Sequence, residues 1–176
     1  YIMPAHGIIW KDYIADIIET YKDIATQKAA NKAVIVYESV WKHTQQIAES
    51  LAEGFSDADM DVKVYQLSDT KSSIVMREIM DAKVVCIGSG TYNNVMAPSV
   101  AAFLEHIRPC KFKNKKGLAF AAYGWFNQVA KEIDTRMQQS GIESCHDVIN
   151  QCYTPSDDQL EDYFNVAKEI AKKCQE

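Results

Sequence analysis

Lys32-Ala-Val-Ile-Val-Tyr-Glu-Ser-Val-Trp-Lys-His-Thr-Gln-Gln-Ile-Ala-Glu-Ser-Leu-Ala-Glu-Gly-Phe55 changes its period midway. Ala33 to Val36 is a short unbroken apolar run, the pattern of a strand covered on both faces. From Thr44 onward, Thr44, Ile47, Ala48, Leu51, Ala52 and Phe55 fall on one face of a helix. The hydroxyl-flanked segment Ser39-Val-Trp-Lys-His-Thr44 joins the two. A strand that passes through a tight turn into a helix aims free N–H groups and the positive end of the helix dipole at one point. That point suits a phosphate. Ser39 and Thr44 would add hydroxyl donors there and Lys42 a charge. The plainer reading is that Ser39 and Thr44 only cap the helix. The segment is neither a Walker A loop nor a dinucleotide fingerprint, because it lacks the glycines of both.

Working outward, the flanks extend the same alternation. Tyr1 to Trp10 reads as a strand end and turn, broken by Pro4 and Gly7 and carrying His6. Lys11 to Lys28 repeats Tyr13, Ile14, Ile17, Ile18, Tyr21 and Ile24 at helical spacing, and a polar linker leads to Lys32. Asp61 to Leu67 suits a half-exposed edge strand. A short helix carrying Ile74, Val75, Ile79 and Met80 comes next, with Ser72 or Ser73 as a candidate cap. Ala82 to Ile87 is a second buried strand, leading into a polar glycine-containing loop, Gly88-Ser-Gly-Thr-Tyr-Asn-Asn94. Pro98 stands where a helix begins, at its favoured first position. Lys111 to Lys116 reads as a solvated basic connector. Gly117 to Ala122 is a third buried strand, ending in Tyr123-Gly-Trp-Phe-Asn127. A helix then runs to about Ser140, with Gly141 as its C-cap. Ser144 to Gln151 is a weaker strand, and Asp157 to Cys174 the last helix.

Strands alternating with helices predict an α/β fold: a five-stranded, doubly wound parallel sheet of order 2-1-3-4-5 with helices on both faces, preceded by an N-terminal helical extension. In that order ligands sit at the carboxyl ends of strands one and three, where the winding reverses.

Composition narrows the function classes. A net charge of −5 argues against a nucleic-acid partner. No apolar run approaches a membrane span. The five cysteines contain no Cys-x-x-Cys pair and read as reduced thiols of a cytoplasmic protein.

The loops after strands one, three and four hold the unusual residues, and each should open on one edge of the sheet. The first carries Ser39, Trp41 and Thr44. The second carries Ser89, Gly90, Thr91, Tyr92, Asn93 and Asn94. The third carries Tyr123, Gly124 and Trp125. A phosphate cradle, flat aromatic walls and glycine-lined amides are what flavin mononucleotide (FMN) requires. A receiver domain shares the topology but needs clustered acids at the first and third strand ends to hold Mg²⁺. Strand one offers only Glu38 and strand three ends in Gly-Ser-Gly, so that reading is rejected.

The whole chain resembles the C-terminal part of the A-type flavoproteins, or flavodiiron proteins, which join a β-lactamase-like diiron domain to a flavodoxin-like FMN domain. Pro4-Ala-His-Gly-Ile-Ile-Trp10 resembles the end of the diiron domain. Tyr37-Glu-Ser-Val-Trp-Lys-His-Thr44 resembles the phosphate loop. Gly88 to Asn94 and Tyr123-Gly-Trp125 resemble the two loops around the isoalloxazine ring. The resemblance implies that residues 1–31 are the remnant of the diiron domain plus a connecting helix, and that residues 32–176 are the flavodoxin-like domain. It implies FMN held at the phosphate by Ser39, Val40, Trp41, His43 and Thr44, where Lys42 is a further candidate by its charge. Around the ring and ribityl chain it implies Thr91, Tyr92, Asn93, Asn94, Tyr123, Gly124 and Trp125, and the loop positions Ser89, Gly90 and Phe126 stand beside them as further cofactor-binding candidates. His6 would correspond to the last iron ligand of the preceding domain, and no complete diiron site is expected here. Implied partners are a rubredoxin-like or flavin-reductase electron donor, the diiron domain and a second copy in a homodimer. The resemblance further implies a parent enzyme that reduces O₂ or NO, with this part of it carrying electrons only. A flavin-less scaffold module and a stand-alone quinone reductase are the competing readings. Lys42, His43 and Phe126 depart from the family pattern, as does Gly90 in place of a common proline, and Phe126 would either crowd the flavin or stack on it.

Overall fold

The computed structural model describes residues 1–175. The elements are α1 (Ile14–Thr26), β1 (Lys32–Glu38), α2 (His43–Asp57), β2 (Asp61–Gln66), α3 (Ser72–Met80), β3 (Val84–Tyr92), β4 (Val95–Met96), α4 (Pro98–Ile107), a 3₁₀ turn (Arg108–Cys110), β5 (Lys116–Tyr123), α5 (Val129–Gln139), β6 (Glu143–Ser144), β7 (Ile149–Cys152) and α6 (Asp157–Gln175). The parallel sheet runs β2-β1-β3-β5-β6, with β4 hairpinned onto β3 and β7 further along β5. Counted by parallel strand positions, this is the expected 2-1-3-4-5 arrangement.

The central strands are apolar on both faces because both are covered. On one face Val34, Val36, Val85, Ile87, Ala119 and Ala121 pack with α3, α4 and α5. On the other, Ala33, Ile35, Val84, Cys86, Leu118 and Phe120 pack with α2 and α6. All seven residues of β1 are buried, whereas β2 is half-exposed as an edge strand should be. The Thr44, Ile47, Ala48, Leu51 and Phe55 face of α2 is buried, and Ala167, Ile170 and Ala171 of α6 oppose it.

Four expectations change. Gly88 to Tyr92 is strand, not loop: Gly88 pairs with Tyr37 and Phe120, Ser89 with Glu38 and Ala121. Thr91 and Tyr92 then pair antiparallel with Met96 and Val95. The two-residue turn between them is Asn93-Asn94, both at positive φ (45° and 68°), as a type I′ hairpin turn requires. The segment Ser144 to Gln151 is split between β6 and β7. The basic connector is not all solvated. Lys115 is 2% exposed, and its Nζ donates to the Met80 and Ala82 carbonyls at 2.9 and 3.0 Å. Those carbonyls, at the end of α3 and in the turn after it, need a donor once buried, and burial lowers the Lys115 pKa. Finally, neither Ser72 nor Ser73 caps α3, whose N-cap is Lys71.

The N-terminal segment lies outside both cores. Ile2 and Trp10 form an isolated antiparallel bridge, His6 is exposed in the turn between them, and no residue of α1 is buried. No helix among the described residues is long and apolar enough to cross a membrane.

Candidate functional site

Strand register assembles the site. Glu38 lies beside Ser89, Gly90 beside Ala122, and Tyr123 beside Cys152. The carboxyl ends of β1, β3, β5 and β7 therefore stop at one edge, and the segments leaving these strands meet there. A cavity of about 450 Å³ opens at this edge.

The first wall is the turn from β1 into α2. It reverses through Lys42, which sits in the left-handed region at φ 67° as the N-cap, with no side-chain cap bond. The capping role considered for Ser39 and Thr44 is therefore not the one they play. Ser39 donates its N–H to Glu38 Oε1 at 3.1 Å. Among the described residues, the N–H groups of Val40, Trp41, Lys42, His43, Thr44 and Gln45 find no acceptor; the first engaged is Gln46 N–H, on Lys42 O at 2.9 Å. An uncapped helix start with that many open donors is an anion-binding geometry. Thr44 is buried beneath it.

Glu38 braces this turn. It is 7% exposed. Its carboxylate accepts from Ser39 N–H, from Gln66 Nε2 at 3.0 Å and from Ser99 Oγ at 3.1 Å. One side chain thus ties β1, β2 and α4 together, as a buried carboxylate must to offset its desolvation.

The second wall is the end of β3. Gly90, Thr91, Tyr92 and Asn93 line the cavity, and Thr91 Oγ1 is buried without a partner among the described residues. A buried hydroxyl left unpaired costs free energy unless something else meets it. Burial raises the Tyr92 pKa, with the nearby Glu38 charge adding to the shift. The third wall is Ala122, Tyr123, Gly124 and Trp125. Trp41 and Trp125 are 79% and 80% exposed on opposite loops, so the protein itself covers neither indole.

Of the residues expected here, Ser39, Val40, Trp41, His43, Thr44, Gly90, Thr91, Tyr92, Asn93, Tyr123, Gly124 and Trp125 line the cavity. Lys42, Ser89, Asn94 and Phe126 do not. Lys42 supplies the reversal through its backbone while its side chain is exposed. Ser89 is fully buried, donating to Gly90 O and accepting from Ala97 N–H. Asn94 completes the hairpin turn. Phe126 is half-buried against the core that includes α5 and does not line the cavity. Two lining residues were not anticipated, Ala122 and Tyr153.

A family model described as flavodoxin matches residues 35–173. The chain belongs to the flavodoxin family. Its relatives are flavodiiron proteins and nitric oxide reductases. A nitric oxide reductase of Moorella thermoacetica is 39% identical over 142 residues, 81% of this flavodoxin chain and 36% of that protein. The rubredoxin oxygen:oxidoreductase of the anaerobe Desulfovibrio gigas superposes with a TM-score of 0.88 at 32% identity, covering 92% of this chain and 40% of that one. The flavodiiron protein of Giardia intestinalis gives a TM-score of 0.90 at 25% identity, covering 97% and 43%. The flavodoxin chain spans less than half the length of the curated relatives it matches. The cofactor that its family carries is FMN. The cavity fits such a group: open N–H donors for a phosphate, uncovered indoles for a ring, and an unpartnered hydroxyl on Thr91 for a polar edge.

Proposed function

We propose that this flavodoxin domain binds FMN in the carboxyl-edge cavity and carries electrons within a longer flavodiiron protein. Electrons come from a rubredoxin-like or flavin-reductase donor and go toward a diiron centre that reduces O₂ or NO. The observation that carries the reading is the convergence, in one cavity, of the open N–H groups at the start of α2 with two uncovered tryptophans. Bound FMN supplies one- and two-electron transfer.

Ser39, Val40, Trp41, His43 and Thr44 are assigned to the phosphate end. Here the dipole of α2 and several backbone donors favour a dianion. Thr91, Tyr92, Asn93, Tyr123, Gly124 and Trp125 are assigned to the ribityl and ring end. The Trp indoles would shield a bound ring from water, and Thr91 Oγ1 would find in the cofactor the hydrogen-bond partner it lacks among the described residues. Lys42, Ser89 and Asn94 act by holding the turns. The exposed apolar side chains of the N-terminal segment, among them Ile8, Ile9, Tyr13 and Tyr21, support packing of residues 1–31 against the diiron portion of the parent.

The test is the visible spectrum of the purified chain, followed by heat release and chromatography of its chromophore. A yellow protein releasing about one FMN per chain upholds the reading. A colourless chain that ignores added FMN overturns it in favour of the flavin-less scaffold. Trp125→Ala should weaken FMN about tenfold, the factor that ~1.4 kcal/mol of lost aromatic contact corresponds to, and should move the midpoint potential. Unchanged titration and unchanged potential would remove Trp125 from the ring site.

A further inference from the structure

The segment after β7 is tied to the cavity from two sides. Tyr153 lines the cavity wall and is 62% exposed. Its backbone holds φ 56°, an unusual conformation for an aromatic residue. Its N–H donates to Tyr123 O at 2.8 Å. Its ring lies on Gly124: a Cβ there would sit 3.4–3.6 Å from the Tyr153 ring carbons and hydroxyl. On the other side, Thr154 Oγ1 and His43 Nδ1 are 3.1 Å apart. Adjacent residues therefore touch the phosphate turn and the ring loop.

The start of α6 fixes this segment in place. Pro155 is buried and restricts Thr154 to extended backbone. Ser156 and Gln159 form a reciprocal capping box on α6: Ser156 N–H donates to Gln159 Oε1 at 3.0 Å, and Gln159 N–H to Ser156 Oγ at 3.3 Å. Gln159 also accepts from Gln151 Nε2 at 3.2 Å, which anchors it to β7. A left-handed tyrosine held between a paired strand and a capped helix is strain that the surroundings enforce, and such strain clusters at functional sites.

The geometry points to a fourth wall of the flavin site, in which Tyr153 contacts the isoalloxazine ring beside Gly124 and Thr154 positions His43 at the phosphate. The two ends of the cofactor are thereby coupled through adjacent residues of the β7–α6 segment. This inference rests on the FMN reading proposed for the cavity.

The test titrates the flavin-free chain with FMN and with riboflavin, following flavin fluorescence and the visible circular dichroism of the bound ring. Wild type, Tyr153→Ala, Tyr153→Phe and Thr154→Val are compared, with far-ultraviolet spectra and melting curves as folding controls. Tyr153→Ala should weaken both ligands about tenfold, because a ring contact of ~1.4 kcal/mol is lost, and should alter the visible dichroism. Tyr153→Phe, which keeps the ring, should stay within about twofold of wild type on the same reasoning. Thr154→Val should weaken FMN several-fold and leave riboflavin unchanged. Tyr153→Ala binding both flavins like wild type, or Tyr153→Phe losing as much as Tyr153→Ala, would overturn the ring contact. Equal losses of both ligands in Thr154→Val would overturn the phosphate-end role. Wild-type protein that binds neither flavin would overturn the FMN reading itself, an outcome distinct from the others.

Discussion

Gly141→Ala is expected to lower the melting temperature by roughly 6–16 °C, the shift that a loss of about 3–4 kcal/mol produces in a domain of this size. Gly141 lies just past α5 and ends it. Its N–H donates to Gln138 O at 2.9 Å, and the next N–H, of Ile142, reaches back to Met137 O at 3.0 Å. These are the two bonds of a Schellman ending. Met137 and Ile142, the flanking hydrophobic pair, are both buried in the core under α5. The motif needs φ 90° at Gly141, a conformation that costs an L-residue about 1–2 kcal/mol. The added Cβ would also stand 2.2 Å from the Phe112 carbonyl oxygen and 2.9 Å from its nitrogen. Phe112 cannot retreat easily: its N–H is bonded to Ser140 O at 2.7 Å and its side chain is buried. Overpacking against backbone adds about 1–3 kcal/mol. The control is Gly90→Ala, whose Cβ would meet only Thr44 Oγ1 and Tyr92 at 3.7 Å without positive φ. Its melting point should stay within a few degrees of wild type. A Gly141→Ala melt matching the Gly90→Ala melt would refute the argument.

The periods in the chain carried the topology, since each central strand is a local apolar run and each helix a local stripe. Gly141 was also legible, because only glycine ends a helix at that φ without cost. What the sequence did not disclose depends on distant partners. Gly88 to Tyr92 looks like loop by composition, yet Ser89 and Gly90 are extended because Glu38 and Ala122 lie alongside. Lys115 looks solvated until the carbonyls of Met80 and Ala82 are brought to it. Phe126 directly follows the cavity residues Tyr123, Gly124 and Trp125 in sequence but packs against the core, a placement set by the distant residues it meets. The N-cap of α2 fell to Lys42 rather than to a hydroxyl residue. That choice leaves the first-turn donors open, and open donors are the better signature of an anion site. Tyr153 escaped notice because it comes after the weakest strand, where alternation is too short to fix an end. The available signal was Ser156-Asp-Asp-Gln159, a capping box that places the start of α6 and hence the residues just before it at the sheet's edge.

Riboflavin, which lacks only the phosphate, should bind at least about a hundredfold more weakly than FMN, a difference of ~2.7 kcal/mol. The turn from Val40 to Gln45 sets this preference. Its open N–H groups converge at the start of a fifteen-residue helix, and no acidic side chain stands in the first turn of α2. Each charge-assisted bond to such an anion is worth about 1.5–3 kcal/mol, so two net bonds suffice for the expected ratio. Glu38 opposes the effect with a nearby negative charge, but its oxygens are already engaged by Ser39, Gln66 and Ser99. Thr44→Val separates hydroxyl from backbone. Thr44 is 1% exposed and lies under Gly90, so valine keeps the shape and deletes one donor. FMN should weaken about five- to tenfold, as loss of one hydrogen bond of ~1 kcal/mol or more predicts, while riboflavin should not change. Fluorescence titration of both ligands on both proteins decides it. Equal affinities of wild type for FMN and riboflavin would mean that the α2 turn is not a phosphate site. An intact preference that Thr44→Val leaves untouched would assign the phosphate to backbone donors alone.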